Sequence, residues 1–300
     1  MRFFTADVFT ERMFGGNQLA VFPEADGLDT HVMQSIAREF NLSETVFAFP
    51  PADPAHTRRL RIFTPSAELP FAGHPTVGAA FVLASIGEVP LGGAGASIVF
   101  EEGVGPVAVS VSVEDGRPGY CELTVARLPE EGPSPPPIEE IASTLSLRPD
   151  ELLTDESPPR GFSCGVPYLF VPVRDVATLG RARINLPAWE RSFSSWWSSC
   201  LFPFSRTDGR GGVDLRARMF APAFGVPEDP ATGSAAAALA GFLAGSAGPA
   251  GGTLRWVVEQ GVEMGRPSRL HVSCDREGAR IAAVRVGGSS VLVSEGRLAL

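Results

Sequence analysis

The chain has 300 residues, 44% hydrophobic and 20% charged, with a formal net charge of −9. That is enough for one large or two medium domains with real cores, and the acidic balance, without any run of Lys or Arg, argues against a duplex nucleic-acid binder. There is no lysine at all, which excludes Schiff-base chemistry at lysine, and the plentiful Gly and Pro follow no period, so the composition is that of a turn-rich globular protein.

Cys121, Cys164, Cys200 and Cys274 lie far apart, with no CxxC or Cys/His ligand spacing. Neither structural zinc nor a redox pair is expected. The N-terminus lacks a charged-then-apolar signal pattern and no apolar run approaches membrane-spanning length, so the expectation is a cytoplasmic protein that does not engage a membrane.

In chain order, the aromatic and β-branched run Phe3–Phe9 predicts a strand, a turn at Gly15-Gly16 follows, and Asn17–Phe22 predicts its hairpin partner. Val32, Ile36 and Phe40 recur at helical spacing after Asp29, a cap residue, which predicts an amphipathic helix over Thr30–Phe40. Asn41-Leu42-Ser43-Glu44 ends it, and Thr45–Phe49 predicts a strand, leaving Glu44 at the junction. Arg59–Phe63 predicts a strand that leads through prolines and Gly73 into a small-residue helix. Strands are expected within Ile98–Val113 and over Pro118–Val125. Leu128–Pro137 (LPEEGPSPPP) reads as a linker, dividing the chain into domains at 1–127 and 128–289, with 290–300 a candidate strand for return to the first domain. Beyond it, Ile138–Leu145 and Pro187–Cys200 predict helices, the segment from Cys164 leads into a strand, and the end of the chain predicts a β-hairpin around Gly287-Gly288.

The segment Gly225–Ser234 (GVPEDPATGS) opens a helix that is small and apolar on nearly every face, as a helix wrapped by other structure would be. Its first-turn N–H groups suit a carboxylate or phosphate. The segment also repeats RIFTPSAELPFAGHPTVGAAFVL as RMFAPAFGVPEDPATGSAAAALAGFL: strand, F-x-P, proline loop, glycine, Ala-rich helix. Duplication predicts two similar halves, with the two helix starts on opposite walls of one cleft. By residue type alone, Glu44 reads as a solvated surface acid or a catalytic one. His74 reads as a capping or packing residue, or as a neutral imidazole at a helix start. Asp229 reads as an N-cap or a functional acid.

Several motifs carry a resemblance: D-V-F-T-x-x-x-F-x-G-N-x-L-A-V-F (Asp7–Phe22), N-L-S-E-T-V-F (Asn41–Phe47), F-A-G-H-P-T-V-G-A-A (Phe71–Ala80), R-A-R-M-F-A-P and G-V-P-E-D-P-A-T-G-S-A (Arg216–Ala235), and E-Q-G-V-E-M-G-R-P-S (Glu259–Ser268). In order and over nearly the full chain, they resemble the PhzF family of phenazine-biosynthesis-type isomerases. The resemblance implies an α/β, diaminopimelate-epimerase-like fold: two duplicated domains, each a curled β-sheet around a central helix. It implies cofactor-independent isomerisation of a small carboxylated cyclic substrate such as trans-2,3-dihydro-3-hydroxyanthranilate, and it suggests a homodimer. Glu44 matches the family's acid/base. His74, Asp229 and Ser234 match residues around the substrate, the backbone of Gly73 and of Gly233-Ser234 would hold its carboxylate, and Asn17 is a further substrate contact. Epimerases of this fold use two cysteines where the helices begin; those places here are taken as Ala72 and Pro230, so two-thiol racemisation is not expected. The alternatives left open are an epimerase or other proton-transfer enzyme using Glu44, and a non-catalytic small-molecule-binding relative.

Overall fold

The computed structural model describes residues 1–155, 157–245 and 251–300. The chain forms two compact units, Met1–Ala126 with Arg285–Leu300, and Arg127–Val284.

The first unit opens with an antiparallel pair, β1 (Arg2–Val8) and β2 (Asn17–Phe22). At the bend between them Gly16 takes φ +62, and a Cβ there would stand 2.3 Å from the Val8 carbonyl oxygen, so the turn admits only glycine. Helix α1 (Thr30–Phe40) starts where Asp29 accepts a hydrogen bond from the Val32 amide and ends at Asn41 in the left-handed region. Strand β3 (Glu44–Phe49) returns parallel to β2, β4 (Arg58–Phe63) pairs antiparallel with β3, and β5 (Glu68–Leu69) is a short addition to β4. Helix α2 (Gly73–Ser85) then crosses to β6 (Ala96–Glu102), parallel to β4, and β7 (Gly105–Glu114) and β8 (Arg117–Thr124) follow antiparallel.

The second unit begins with β9 (Glu130–Glu131) and α3 (Ile138–Thr144). Its main sheet runs β10 (Arg160–Ser163), β11 (Pro167–Pro172), β12 (Leu201–Arg206), β13 (Leu215–Ala217), β16 (Gly252–Gln260) and β17 (Ser268–Glu277). Helices α4 (Val176–Arg181) and α5 (Leu186–Ser192) connect β11 to β12. Strands β14 (Met219–Ala221) and β15 (Val226–Asp229), with helix α6 (Gly233–Gly245), connect β13 to β16. The sense of pairing along β10-β11-β12-β13-β16-β17 is antiparallel, parallel, antiparallel, parallel, antiparallel. The same order holds along β1-β2-β3-β4-β6-β7. The crossover helices α2 and α6 occupy the same place in each and are both 13 residues long. The internal repeat is therefore one of topology as well as of sequence. Strand β18 (Arg280–Gly288) pairs with β8 through Arg285–Gly288, and β19 (Ser290–Arg297) pairs antiparallel with β1.

Each central helix is buried almost throughout because its sequence offers no polar face. In α2 every residue from Gly73 to Ala84 is buried, and the helix packs against β1, β2, β3, β7 and β8. A Cβ on Gly78 would come within 2.5 Å of Leu19 and 2.6 Å of Val8, so a glycine lets the helix approach the sheet. The outer face of the first sheet carries α1, whose Met33, Ile36 and Ala37 join Phe22, Phe47 and Phe63; burial of each of these Met, Ile and Phe side chains contributes roughly 1.5–3 kcal/mol. On the second unit α3, α4 and α5 form the corresponding layer, with Ile141, Leu179, Trp189 and Phe193 over Leu169, Val171 and Leu201.

Three segments differ from the sequence reading. Gly287 and Gly288 are not a hairpin turn: they end β18, opposite Glu122 and Cys121 of β8. Leu128–Pro137 is not a free linker: β9 pairs with β10, Glu131 receives both Nε and a terminal nitrogen of Arg160 at 2.7 Å, and Pro129 lies against Gly241 of α6. The helix read over Pro187–Cys200 stops at Ser192. Serines compete for the backbone there: Ser198 Oγ donates to the Pro167 or Cys200 carbonyl and accepts from the Cys200 amide. Trp197 instead covers Gly132 and Gly161, where any side chain would collide with its ring.

Candidate functional site

In the first unit, three of the expected residues stand together at the ends of different elements. Asn17 is the first residue of β2, Glu44 the first of β3, and His74 the second of α2. The parallel register sets Leu19 opposite Glu44, so β2 and β3 begin side by side. His74 Nε2 lies 3.2 Å from Glu44 Oε2, and Asn17 Nδ2 lies 3.1 Å from His74 Nδ1. His74 is buried, and desolvation lowers its pKa from 6.5 to about 3, with the Gln18 backbone opposing weakly. The contact with Glu44 is accordingly that of a neutral imidazole with a carboxyl group. An Asn17 amide that donates to Nδ1 leaves the single imidazole proton on Nε2, and the flipped amide places it on Nδ1. Nε2 makes no aligned hydrogen bond in this state. Glu44 is partly open, its side chain 16% exposed, as a group that must reach a substrate requires. Gly73, at the start of α2, is buried and adds a first-turn backbone N–H beside this pair.

In the second unit Asp229 ends β15 and is buried. Thr232 donates its hydroxyl to Asp229 Oδ2 at 2.5 Å. Gln260, at the end of β16 and fully buried, donates to the Asp229 carbonyl at 2.7 Å and accepts from the Thr232 amide at 3.2 Å. Gly233 and Ser234 begin α6, and Ser234 Oγ meets the Tyr168 hydroxyl at 2.7 Å. Gln260 and Tyr168 were not singled out from the sequence. Gln260 had a signal: Gly261 behind it sits at φ +78, where a Cβ would lie 2.6 Å from the Pro230 carbonyl oxygen, so the E-Q-G turn is built against the proline loop.

The structure corrects one position. The residue preceding α2 is Ala72, whose carbonyl accepts from the Thr76 amide; the residue with the same role before α6 is Thr232, accepting from Ala236, and not Pro230. Neither is cysteine. All four cysteines are buried, and burial pushes Cys121, Cys164 and Cys200 up to about 12, so none is poised as a thiolate base. Among the described residues, no helix is long and apolar enough to cross a membrane.

Residues 6–296 match the family described as phenazine biosynthesis-like protein. The chain is 43% identical to an uncharacterized isomerase of Mesorhizobium japonicum, covering 97% of this chain and 96% of that protein. It is 34% identical to the trans-2,3-dihydro-3-hydroxyanthranilate isomerase of Pseudomonas aeruginosa, covering 99% and 98%. Among solved structures, a PhzF-family phenazine biosynthesis protein of Bacillus anthracis superposes with a TM-score of 0.89 at 23% identity, covering 100% of this chain and 99% of that one. A probable proline racemase of Agrobacterium radiobacter superposes with a TM-score of 0.65 at 14% identity, covering 100% and 93%. The fold is thus the diaminopimelate-epimerase-like one expected from the motifs.

Proposed function

From the premise that the chain belongs to the phenazine biosynthesis-like family and is an isomerase, we propose that Glu44 moves a proton between carbons of a small carboxylated, cyclic substrate. The substrate is similar to the trans-2,3-dihydro-3-hydroxyanthranilate on which relatives are named as acting. The observation that carries this reading is the pairing of a partly open Glu44 with a buried, neutral His74 at 3.2 Å.

An allylic isomerisation needs one group that takes a proton from one carbon and returns it to another on the same face. A carboxylate with two equivalent oxygens does this without a second base. His74 supports it by offering a hydrogen bond while remaining a very weak base itself, so the proton stays with Glu44. Gly73 and the helix start behind it supply unpaired N–H groups for the substrate's carboxylate. Asn17 fixes the imidazole. In the second unit, Asp229 acts as a positioning or relaying acid, and Gly233 and Ser234 form a second helix start of the same kind.

The test is Glu44→Gln, which keeps the shape and removes the base. Turnover of trans-2,3-dihydro-3-hydroxyanthranilate, with solvent deuterium uptake followed by mass spectrometry, should fall by about 10²–10⁴-fold, with circular dichroism and unfolding midpoint unchanged. Where the wild-type chain does not turn over that compound, the same exchange assay is run across cyclic amino acids and hydroxy acids. Retained turnover in the variant overturns the assignment, and uptake at a stereocentre without double-bond migration converts it to an epimerase.

A further inference from the structure

Strand β6 alternates: Ile98 and Phe100 point inward and are fully buried, and the next inward position is Glu102. A carboxyl group therefore stands in the core of the first unit, facing α2. Its Oε1 lies 2.7 Å from Thr76 Oγ1, and Oε2 is buried without a hydrogen-bond partner. Thr76 Oγ1 is also 2.8 Å from the carbonyl oxygen of Ala72. Both contacts are short hydrogen bonds, yet the hydroxyl carries one hydrogen. If Thr76 gives it to Ala72, the hydrogen between Thr76 and Glu102 has to belong to Glu102. If Glu102 is ionised, it claims the Thr76 hydrogen, and the Ala72 carbonyl keeps only the longer bond from the Thr76 amide, 3.3 Å.

We propose that Glu102 is a positioning residue: as a neutral acid it donates to Thr76, which lets Thr76 hold Ala72 and fixes the first turn of α2, on which Gly73 and His74 stand. Ionisation opens that lock. The functional consequence rests on the assignment of the site to Glu44 and His74; the lock itself is a property of the fold.

The surroundings favour the neutral form. Burial pushes the Glu102 pKa from 4.5 up to about 8, with the Thr76 hydrogen bond opposing. The charged groups around it are committed elsewhere. On β4, Arg61 is paired with Glu68 of β5 at 2.7 and 2.6 Å, and Arg59 lies over the Phe49 ring. On β6 itself, Glu101 accepts from the Ala52 and Asp53 amides and contacts His56. Strand β7 presents Gly105 opposite Glu102, and the titratable group on the facing turn of α2 is His74, which stays neutral. Among the described residues, no cation forms a hydrogen bond or ion pair with Glu102, whose one side-chain partner is Thr76.

The experiment follows amide hydrogen exchange of the peptide spanning Gly73–Val77 from pH 6 to 9, corrected for the intrinsic rate, in the wild type, Glu102→Gln and Thr76→Val. In the wild type, protection should fall by about tenfold for each pH unit above the carboxyl's pKa. In Glu102→Gln the side-chain amide donates permanently, so protection should stay flat. In Thr76→Val it should be low at every pH. The infrared spectrum of the wild type should also show, at neutral pH, a protonated carboxyl band that titrates near pH 8 and is missing from Glu102→Gln. A wild-type pH dependence retained in Glu102→Gln, full protection in Thr76→Val, or no such band overturns the proposal. Where a turnover assay is in hand, kcat should lose its alkaline fall in Glu102→Gln with KM unchanged. If no substrate is turned over, the functional reading fails while the exchange data still decide the lock.

Discussion

The hydroxyl of Tyr168 meets Ser234 at 2.7 Å, and this repeats in the second unit what Asn17 does to His74 in the first. His74 and Ser234 are each the second residue of a central helix, and Asn17 and Tyr168 lie at the starts of β2 and β11, which occupy the same place in the repeated topology. The duplicated framework therefore preserves a device: the side chain at the second helical position is oriented by the neighbouring strand start. What has diverged is its chemistry, a neutral imidazole in one unit and a hydroxyl in the other.

Tyr168→Phe and Ser234→Ala should each weaken that orientation. Either hydroxyl can be the donor, so removing one partner leaves the other half-satisfied. A double-mutant cycle by urea unfolding should give a coupling of about 0.5–1.5 kcal/mol. A coupling indistinguishable from zero would mean that the two hydroxyls are independently solvated.

His74 predicts a pH dependence of stability. Its folded pKa is about 3, against roughly 6.5 for a free imidazole. The unfolded chain therefore binds the proton first. The contribution of neutral His74 is fully present above pH 6.5 and is lost as pH falls from 6.5 toward 3. In His74→Gln, the loss of unfolding free energy between pH 6.5 and 4 should be smaller than in the wild type, the difference reaching on the order of 1–3 kcal/mol. Equal slopes would show that the imidazole is not buried neutral. On the role proposed for His74 beside Glu44, the same variant should also lose turnover across the whole pH range.

Much of this was legible in the sequence for a physical reason. The elements that position the site are bounded by strong local signals: Asp29 and Asn41 close α1, and the two Ala/Gly-rich helices carry no polar face, so their burial follows from composition. Glu44 and His74 were visible as residues at element starts, but their contact depends on β2 and β3 beginning in register, a long-range pairing with no local signature. Glu102 was missed although its inward alternation after Ile98 and Phe100 was readable. A glutamate at the end of a strand invites a surface reading, and only its buried neighbours on α2 reverse that. The Trp-rich stretch after Ser192 misled because its apolar spacing looked helical, while its serines form side-chain bonds to the backbone. Thr232 and Gln260 act through mutual hydrogen bonds across distant segments, which no spacing rule anticipates.

Arg218 gives the last prediction. Its side chain is only 3% exposed and grips Glu228 through two bonds, 2.8 and 2.7 Å, in the fork geometry that suits a carboxylate. Its remaining terminal nitrogen donates to the Ala182 and Leu179 carbonyls, closing the C-terminal end of α4. Glu228 is the residue before Asp229 on β15, so the guanidinium ties that strand to a helix end. Arg218→Met fills most of the volume but leaves Glu228 as a mostly buried carboxylate without its counter-charge and the α4 carbonyls without their donor. The loss in unfolding free energy should be about 3–5 kcal/mol. A second substitution, Glu228→Leu on top of Arg218→Met, removes the orphaned charge and should recover part of that loss, because the penalty arises mainly from an uncompensated ion. Unfolding of the two variants by urea decides it. If the single variant is as stable as the double, the pair is solvated in solution and Arg218 does not anchor β15.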